Sequence, residues 1–249
     1  MTSAQWDAFS RFKSNFLKQC DVWLREAGGL DGWLATLQQE AAEADGTPAY
    51  PIETPVVFSE ALDDIQKEDD LKLIVVGDNP GKNEQLSKNR RYLVGQAGKL
   101  GANFFRNHPE IGIDFRKNVV ILNKTPLHSA KTKQLGYILR AGGEKAEKLF
   151  NTSLRWMAQE TAVLQETLAC PLWLVGYGEL RAKGLFSLYA KELEMYYSHT
   201  NQNTSVYLYQ HFSMNRFSID FKKRNNPKKT LKENLEEIGL THRREILGW

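Results

Sequence analysis

The spacing of apolar residues changes along the chain and divides it into regions. Between residues 4 and 25, aromatic and aliphatic side chains recur at intervals of three and four, which predicts an amphipathic helix. Gly28-Gly29 predicts the end of this helix. Asp31 predicts the N-terminal cap of a second helix, which reaches about Ala44. Prolines and a glycine over residues 46–57 then predict an irregular crossing segment.

Short β-branched apolar runs follow, at residues 71–76, 118–122, 171–175 and 206–209, and each is typical of a buried parallel strand. Helical spacing lies between and around them, near residues 58–68, 98–107, 143–168, 179–194, 231–238 and 242–247. This alternation predicts a three-layer α/β/α sandwich with a central four-stranded parallel sheet and right-handed crossovers, plus an N-terminal helical extension. We expect the extension to cover residues 1–57 and to pack on an α/β domain over residues 58–249.

Charge is distributed unevenly although the net charge is only +3. Residues 1–70 hold 5 Lys/Arg against 14 Asp/Glu, and residues 71–249 hold 28 against 16. A basic body with an acidic head permits a polyanionic partner for the body. The basic run over residues 216–230 is by itself typical of a solvated surface.

Several classes of protein are excluded or disfavoured. No apolar run approaches the ~20 residues that a membrane helix needs. The first ten residues lack the basic and apolar regions of a secretory signal. Cys20 and Cys170 are too few for a disulfide framework, a Cys-rich zinc site or a four-thiolate iron–sulfur cluster. We therefore expect a cytoplasmic, monomeric protein with reduced thiols, no metal, no cofactor and no membrane partner.

Candidate chemistry lies directly after the predicted strands, because open parallel sheets bind ligands outside the carboxyl ends of their strands. Asn79, Asn123 and His211 follow or end three of the four runs, and all three side chains suit a polar planar ligand. A Gly-x-Ser-x-Gly nucleophile elbow is absent, as are the standard phosphate-binding glycine motifs. Taken alone, Asn123 is better interpreted as a turn residue and His211 as a structural histidine.

Together these segments resemble the uracil-DNA glycosylase superfamily. Gly77-Asp78-Asn79-Pro80-Gly81, followed by Tyr92-Leu93-Val94-Gly95-Gln96-Ala97-Gly98, is similar to its first motif. Val120-Ile121-Leu122-Asn123 resembles its uracil-reading strand, and His211-Phe212-Ser213 its His-Pro-Ser motif. The spacing is 44 residues from Asn79 to Asn123 and 88 from there to His211, and the resemblance covers about residues 70–220. The four cysteines of the iron–sulfur branches are lacking, so the resemblance is to a divergent member without a cluster.

The resemblance implies a monofunctional, base-flipping DNA repair glycosylase that hydrolyses the N-glycosidic bond of uracil or a related deaminated base. Asn123 would pair with N3–H and O4 of uracil, and His211 would donate to O2 as charge develops there. Asn79 would hold the attacking water, where the fastest branch has an Asp. Asp78 is the lesser candidate for an acid, since neighbouring side chains on extended backbone point in opposite directions.

Two further sets of residues follow from the same resemblance. The base pocket would be lined by Gly77, Pro80, Gly81, Tyr92 and Leu93. Leu93 stands where related branches have a Phe that stacks on the base, and the neighbouring Tyr92 is the alternative source of a stacking ring. Gly81 stands where the fastest branch has a bulky aromatic, which predicts relaxed base specificity. DNA would contact Gly95, Gly98, Ser213, Met214, Asn215, Arg216, Lys222, Lys223 and Arg224. Met214 or Arg216 would be the wedge in the duplex, and an ordinary surface loop over residues 214–216 is the equal alternative.

Two other hypotheses stay open. The first is a glycosylase-like module with weakened or lost chemistry that binds nucleic acid or a free base, which Asn79, Leu93 and Phe212 favour. The second is an unrelated α/β enzyme that acts on a small molecule.

Overall fold

A computed structural model describes residues 1–200 and 205–249 and has a parallel sheet at its centre. The strands are β1 (Leu73–Gly77), β2 (Val119–Asn123), β3 (Leu172–Val175) and β4 (Val206–Tyr209), in the order β2-β1-β3-β4. Every strand residue is buried, because helices cover both faces of the sheet. The predicted α/β/α sandwich with four parallel strands is confirmed.

Seven helices flank the sheet within the described residues. They are α1 (Ser3–Glu26), α2 (Trp33–Ala44), α3 (Gln96–Asn107), α4 (Gln134–Leu168), α5 (Ser187–Thr200), α6 (Arg216–Arg224) and α7 (Leu231–Leu247). Gly143 has a φ of 58°, a left-handed conformation that divides α4 into two helical segments. The second of these segments is the helix predicted over residues 143–168.

One face of the sheet is covered by aromatic side chains of α3 and α6 together with α7. Phe105 of α3 and Phe217 of α6 stack on Trp173 of β3, with ring centroids 5.5 and 5.9 Å away. The Tyr209 hydroxyl of β4 donates to the Leu235 carbonyl of α7 at 2.8 Å. This packing fixes α6, and with it the chain that leads from β4 into α6.

The N-terminal helix is anchored by a buried aromatic cluster on α4. Phe12, Phe16 and Trp23 of α1 lie against Trp156, with ring centroids 6.2, 5.5 and 5.6 Å apart. Such pairs contribute about 0.5–1.5 kcal/mol each beyond the burial of their surface. The apolar stripe of the predicted amphipathic helix is the face that makes this contact.

Four predicted helices differ from the structure. The helix predicted over residues 58–68 is wrong: only a short 3₁₀ turn, Glu60–Leu62, forms there, and the Asp69 carboxylate accepts the Gln66 N–H at 2.8 Å instead. The helix predicted near residues 179–194 begins at Ser187, because Glu179 accepts the Leu185 N–H and closes a turn. The two predicted closing helices are one continuous α7.

Within the described ranges, no helix is long and apolar enough to cross a bilayer. The same residues contain no group of three or more His, Cys, Asp or Glu side chains placed to hold a metal ion. Cys20 and Cys170 are buried free thiols, and burial raises the pKa of both, that of Cys170 to about 12.

Candidate functional site

The carboxyl ends of the strands open into a cleft of about 730 Å³. The chain leaves β1 toward β2 on one side and returns to β3 on the other, so the strand order reverses between β1 and β3. A reversal of this kind leaves a crevice at which open α/β sheets bind ligands. Asn79, Asn123 and His211 all line this cleft, although they are far apart in the chain.

Asn123 presents an unsatisfied buried amide. It ends β2 beside Gly77 in register, and its Oδ1 lies where a β-carbon on Gly77 would be only 2.5 Å away. Asn123 is 1% exposed, and its Nδ2 has no hydrogen-bond partner among the described residues. A buried donor without a partner costs about 1–3 kcal/mol. A ligand acceptor in the cleft would remove that cost.

His211 offers the cleft an N–H donor. Its Nδ1 accepts the backbone N–H of Ser213 at 3.1 Å and lies 2.8 Å from the Ser213 hydroxyl. Because a backbone N–H can only donate, Nδ1 carries the lone pair, and the neutral ring holds its proton on Nε2. Burial lowers the pKa of His211, against the opposing effect of the Asp78 carboxylate. The ring is therefore neutral at neutral pH.

The loop after His211 is anchored by a ring where the resembled family has proline. Phe212 is 1% exposed and packs on Phe217 and Phe115, with ring centroids 5.0 and 5.9 Å away. Met214 and Asn215 follow with φ of 54° and 55°, the left-handed region that non-glycine residues seldom adopt. Met214 is 66% exposed and stands at the cleft.

Hydrogen bonds to Ser129 and Pro80 fix the orientation of the Asn79 side-chain amide. Its Nδ2 donates to the Ser129 carbonyl at 3.0 Å, to the Ser129 hydroxyl at 2.9 Å and to the Pro80 carbonyl at 3.1 Å. These three acceptors identify the nitrogen end of the side chain. The carbonyl oxygen Oδ1 is thus the group that Asn79 can offer to a ligand or a water molecule.

Asp78 lines the cleft together with Asn79. The two side chains bond different partners, Asn79 bonding Ser129 and Asp78 bonding Lys124. The Lys124 backbone N–H bonds the carbonyls of both Gly77 and Asp78, at 3.0 and 3.1 Å, so the chain bends there instead of staying extended. The Asp78 carboxylate then lies 2.6 Å from the Lys124 ammonium.

The other predicted base-pocket residues divide into two groups. Gly81 and Leu93 line the cleft, whereas Gly77, Pro80 and Tyr92 do not. Tyr92 is 1% exposed and its hydroxyl donates to the Val57 carbonyl, so the ring belongs to the core and is not available for stacking.

The predicted DNA contacts divide in the same way. Gly95, Ser213, Met214 and Arg216 line the cleft. Gly98 is buried against the Leu93 carbonyl, and Asn215 and Lys222 line a second hollow of about 260 Å³ between α3 and α6. Lys223 and Arg224 lie on α6 outside both hollows, and Arg224 pairs with Asp220 at 3.2 Å.

Glu84 is a cleft residue that sequence reasoning missed. Its carboxyl is 6% exposed and accepts the Gly81 N–H at 3.1 Å. Burial raises the pKa of Glu84 to about 7, and the N–H groups of Gly81, Leu93 and Val94 act against that rise. Glu84 thus ties the loop after β1 to the loop before α3. A glutamate three residues after Gly81 was the available signal.

Two residues of the N-terminal extension, Tyr50 and Gln38, support the same loop through His128, which follows β2. His128 is fully buried; its Nδ1 lies 2.9 Å from the Pro80 carbonyl and its Nε2 2.9 Å from the Tyr50 hydroxyl. Burial lowers the pKa of His128 to about 4, so the ring is neutral. Since a carbonyl only accepts, Nδ1 donates to Pro80 and Nε2 accepts from Tyr50. Gln38 of α2 completes the support through the His128 carbonyl at 2.8 Å.

The acidic extension also reaches the rim of the cleft. Asp45, just after α2, pairs with the ammonium groups of Lys131 and Lys133, and both lysines line the cleft. These two lysines lower the pKa of Asp45 to about 2. A carboxylate of the acidic head thus lies at the rim of the cleft, where its charge opposes the approach of a polyanion.

Comparison with known proteins identifies no relative: no family model, no curated protein and no solved structure gives a significant match to this chain.

Proposed function

We propose that this protein is a monofunctional DNA glycosylase that hydrolyses the bond between deoxyribose and uracil or a related deaminated base. The observation that carries the proposal is the unpaired, buried Nδ2 of Asn123 in the same cleft as the Nε2–H of His211. Two oriented polar groups at the switch point of a parallel sheet suit a flat ligand with matching donors and acceptors. The motif resemblance supports a flipped base as that ligand.

Asn123 selects the base by hydrogen-bond pattern. Its Nδ2 donates to O4 of uracil, and its Oδ1 accepts from N3–H. Cytosine carries an N4 donor and an N3 acceptor at these positions. The Nδ2 donor of Asn123 would therefore face another donor, and its Oδ1 acceptor would face another acceptor. Because the Asn123 amide is buried, that mismatch has no water to relieve it.

His211 stabilises the departing base. The bond between C1′ and N1 breaks with its electron pair moving onto the base, and negative charge develops at O2. The neutral imidazole donates from Nε2 to this oxygen, while Ser213 keeps Nδ1 as the acceptor. A water oxygen then bonds to C1′ and releases a proton that neutralises the base anion. The products are the free base and an abasic site.

Asn79 supports the water by hydrogen bonding alone. Its Nδ2 is engaged by Ser129, which leaves Oδ1 as an acceptor for a water hydrogen. An amide takes no proton, so general-base help, worth about 10²–10⁴-fold, does not come from Asn79. We expect a slow enzyme in comparison with one that has a carboxylate at this position.

Gly81 leaves room beside the base. A β-carbon built on Gly81 would meet no atom within 4 Å, although the residue lines the cleft. Bases with a substituent at C5, and other deaminated bases, therefore fit. Excision is expected for 5-hydroxymethyluracil, thymine opposite guanine or hypoxanthine in addition to uracil.

The test is an activity panel on oligonucleotides that each contain one such base, in single and double strands. Released base is measured by chromatography, and strand breaks are measured with and without alkali. We expect free base and breaks only after alkali, because the positions that match the family's motifs carry no lysine or cysteine nucleophile. Binding without release of any base would support the binding-module hypothesis. Release of uracil alone would contradict the role of Gly81.

Lysine side chains on the rim of the cleft support DNA as the partner. Two of them, Lys131 and Lys133, form ion pairs with Asp45 and are therefore less available to phosphates. Asp45→Asn is expected to raise affinity for a duplex oligonucleotide roughly threefold to tenfold at low salt. The freed Lys131 and Lys133 would steepen the dependence of log Kd on log salt by up to about 0.9 for each additional phosphate that they neutralise. Fluorescence anisotropy across a salt series measures both effects.

The matched control is Glu43→Gln, which removes one negative charge from an exposed position of α2, two residues before Asp45. Equal tightening by both variants would mean that net charge, and not the Asp45 ion pairs, restrains binding.

A further inference from the structure

Lys124 is a fully buried lysine at the centre of the strand ends. It follows Asn123 directly, and its side chain is 0% exposed. Its Nζ donates to the Asp78 carboxylate at 2.6 Å, to the Val175 carbonyl at 2.7 Å and to the Gly77 carbonyl at 3.3 Å. One side chain therefore joins the carboxyl ends of β1, β2 and β3.

The arrangement around Nζ matches an ammonium ion. An ammonium has three N–H donors, and three acceptors surround it, whereas a neutral amine would leave one acceptor unpaired. Burial lowers the pKa of Lys124, and the Asp78 carboxylate acts in the opposite direction. Lys124 does not line the cleft, so it cannot reach C1′ as a nucleophile.

Asp78 is the partner that faces the cleft. Its Oδ1 is held by Lys124, while the one hydrogen bond of its Oδ2 to the described residues is a long contact of 3.5 Å with the Thr132 hydroxyl. The carboxylate lies against Gly176, whose φ is 86° and where a β-carbon would come within 2.6 Å of Oδ1. The end of β3 thus lets a carboxylate reach the switch point.

The other two cleft carboxyl groups are engaged elsewhere. Glu84 accepts the Gly81 N–H, and Glu179 accepts the Leu185 N–H at 3.1 Å. Each therefore holds a loop. Asp78 differs from both, because its Oδ1 is bonded to the buried Lys124 ammonium and its Oδ2 makes only a weak hydrogen bond among the described residues.

We propose that Asp78 supplies the anionic charge opposite the sugar cation, and that Lys124 is the positioning residue that holds this carboxylate toward the cleft. The inference rests on the proposed glycosylase function. Positive charge develops on the sugar as the base leaves, and a fixed carboxylate near it lowers the barrier. The Asn79 side chain is an amide and carries no charge. The negative charge is therefore supplied by Asp78, one residue nearer to β1.

The experiment is a double-variant cycle with Asp78→Asn, Lys124→Met and the two combined. Single-turnover excision of uracil, substrate affinity and thermal melting are measured for each. Each single variant is expected to melt lower, because it removes one partner of the pair, and Asp78→Asn leaves a buried ammonium without its counter-ion. The double variant is expected to recover part of the melting temperature, because the Val175 and Gly77 carbonyls stay without the Nζ donor, and to keep the substrate affinity. It is expected to excise uracil about 10²-fold more slowly than the unaltered protein.

Glu179→Gln is the matched control, since it removes another cleft carboxylate while its amide oxygen still accepts the Leu185 N–H. It is expected to keep the excision rate. A double variant with the full excision rate would overturn the proposal, because the pair would then be structural only. If the double variant does not fold, the excision rate of Asp78→Asn is measured below the melting temperature of that variant. A full excision rate there overturns the proposal as well.

Failure of the proposed function gives a different result. In that case the unaltered protein releases no base from any substrate, while melting of the four proteins still measures whether the two positions are coupled.

Discussion

Replacing His211 with alanine is expected to slow base excision about 10²–10³-fold under single-turnover conditions, with little change in DNA affinity. The imidazole donates to charge that exists only as the base leaves, and the loss of one such donor costs about 2.7–4 kcal/mol of barrier lowering. Quench-flow measurement of released base, together with anisotropy for binding, separates the two quantities. His108→Ala is the control, since that histidine lies at the end of α3 outside the cleft.

The same histidine predicts the pH dependence. Burial lowers the pKa of His211 from 6.5, so the ring is neutral at neutral pH and gains a proton only at lower pH. A proton on Nδ1 would face the Ser213 N–H and disturb the loop. The contribution of His211 to excision is therefore expected to be constant near neutral pH and to fall in acid. An acid limb of the same size in His211→Ala would show that another group causes it.

Replacing Asn123 with alanine is expected to lower kcat/KM for uracil about 10²–10³-fold. The variant loses the donor to O4 and the acceptor for N3–H, and each polar group left unpaired in a buried pocket costs about 1–3 kcal/mol. Steady-state kinetics on a uracil oligonucleotide measures the loss.

Stability distinguishes this role from a structural one. The Asn123 Nδ2 has no partner among the described residues, so its removal breaks no hydrogen bond in the free protein. Thermal melting of Asn123→Ala is therefore expected to stay the same or to rise. A marked decrease in melting temperature together with unchanged kinetics would identify Asn123 as a structural residue and contradict the proposed function.

The strands were predictable because their signal is local. Four buried β-branched runs separated by helical spacing leave few arrangements other than a covered parallel sheet. Elements whose ends depend on single side chains were less predictable. The start of α5 depends on a hydrogen bond from Leu185 to Glu179, and no spacing of apolar residues encodes it.

Asn79, Asn123 and His211 were predictable as cleft residues because they directly follow or end strands, and parallel strands bring their carboxyl ends to one edge. Tyr92 was not, because a motif position does not say on which side of a loop a ring lies. Its hydroxyl donates to the Val57 carbonyl inside the core.

The amino-acid sequence alone determined the layer architecture and which strand ends carry polar side chains, since both follow from periodicity and chain order. Only the tertiary structure decided the electrostatics of the cleft. The pairing of Lys124 with Asp78 and of Asp45 with Lys131 joins residues 46 and 86 positions apart. Contacts at such distances along the chain arise when packed layers bring strand ends and helix ends together, and no local pattern records them.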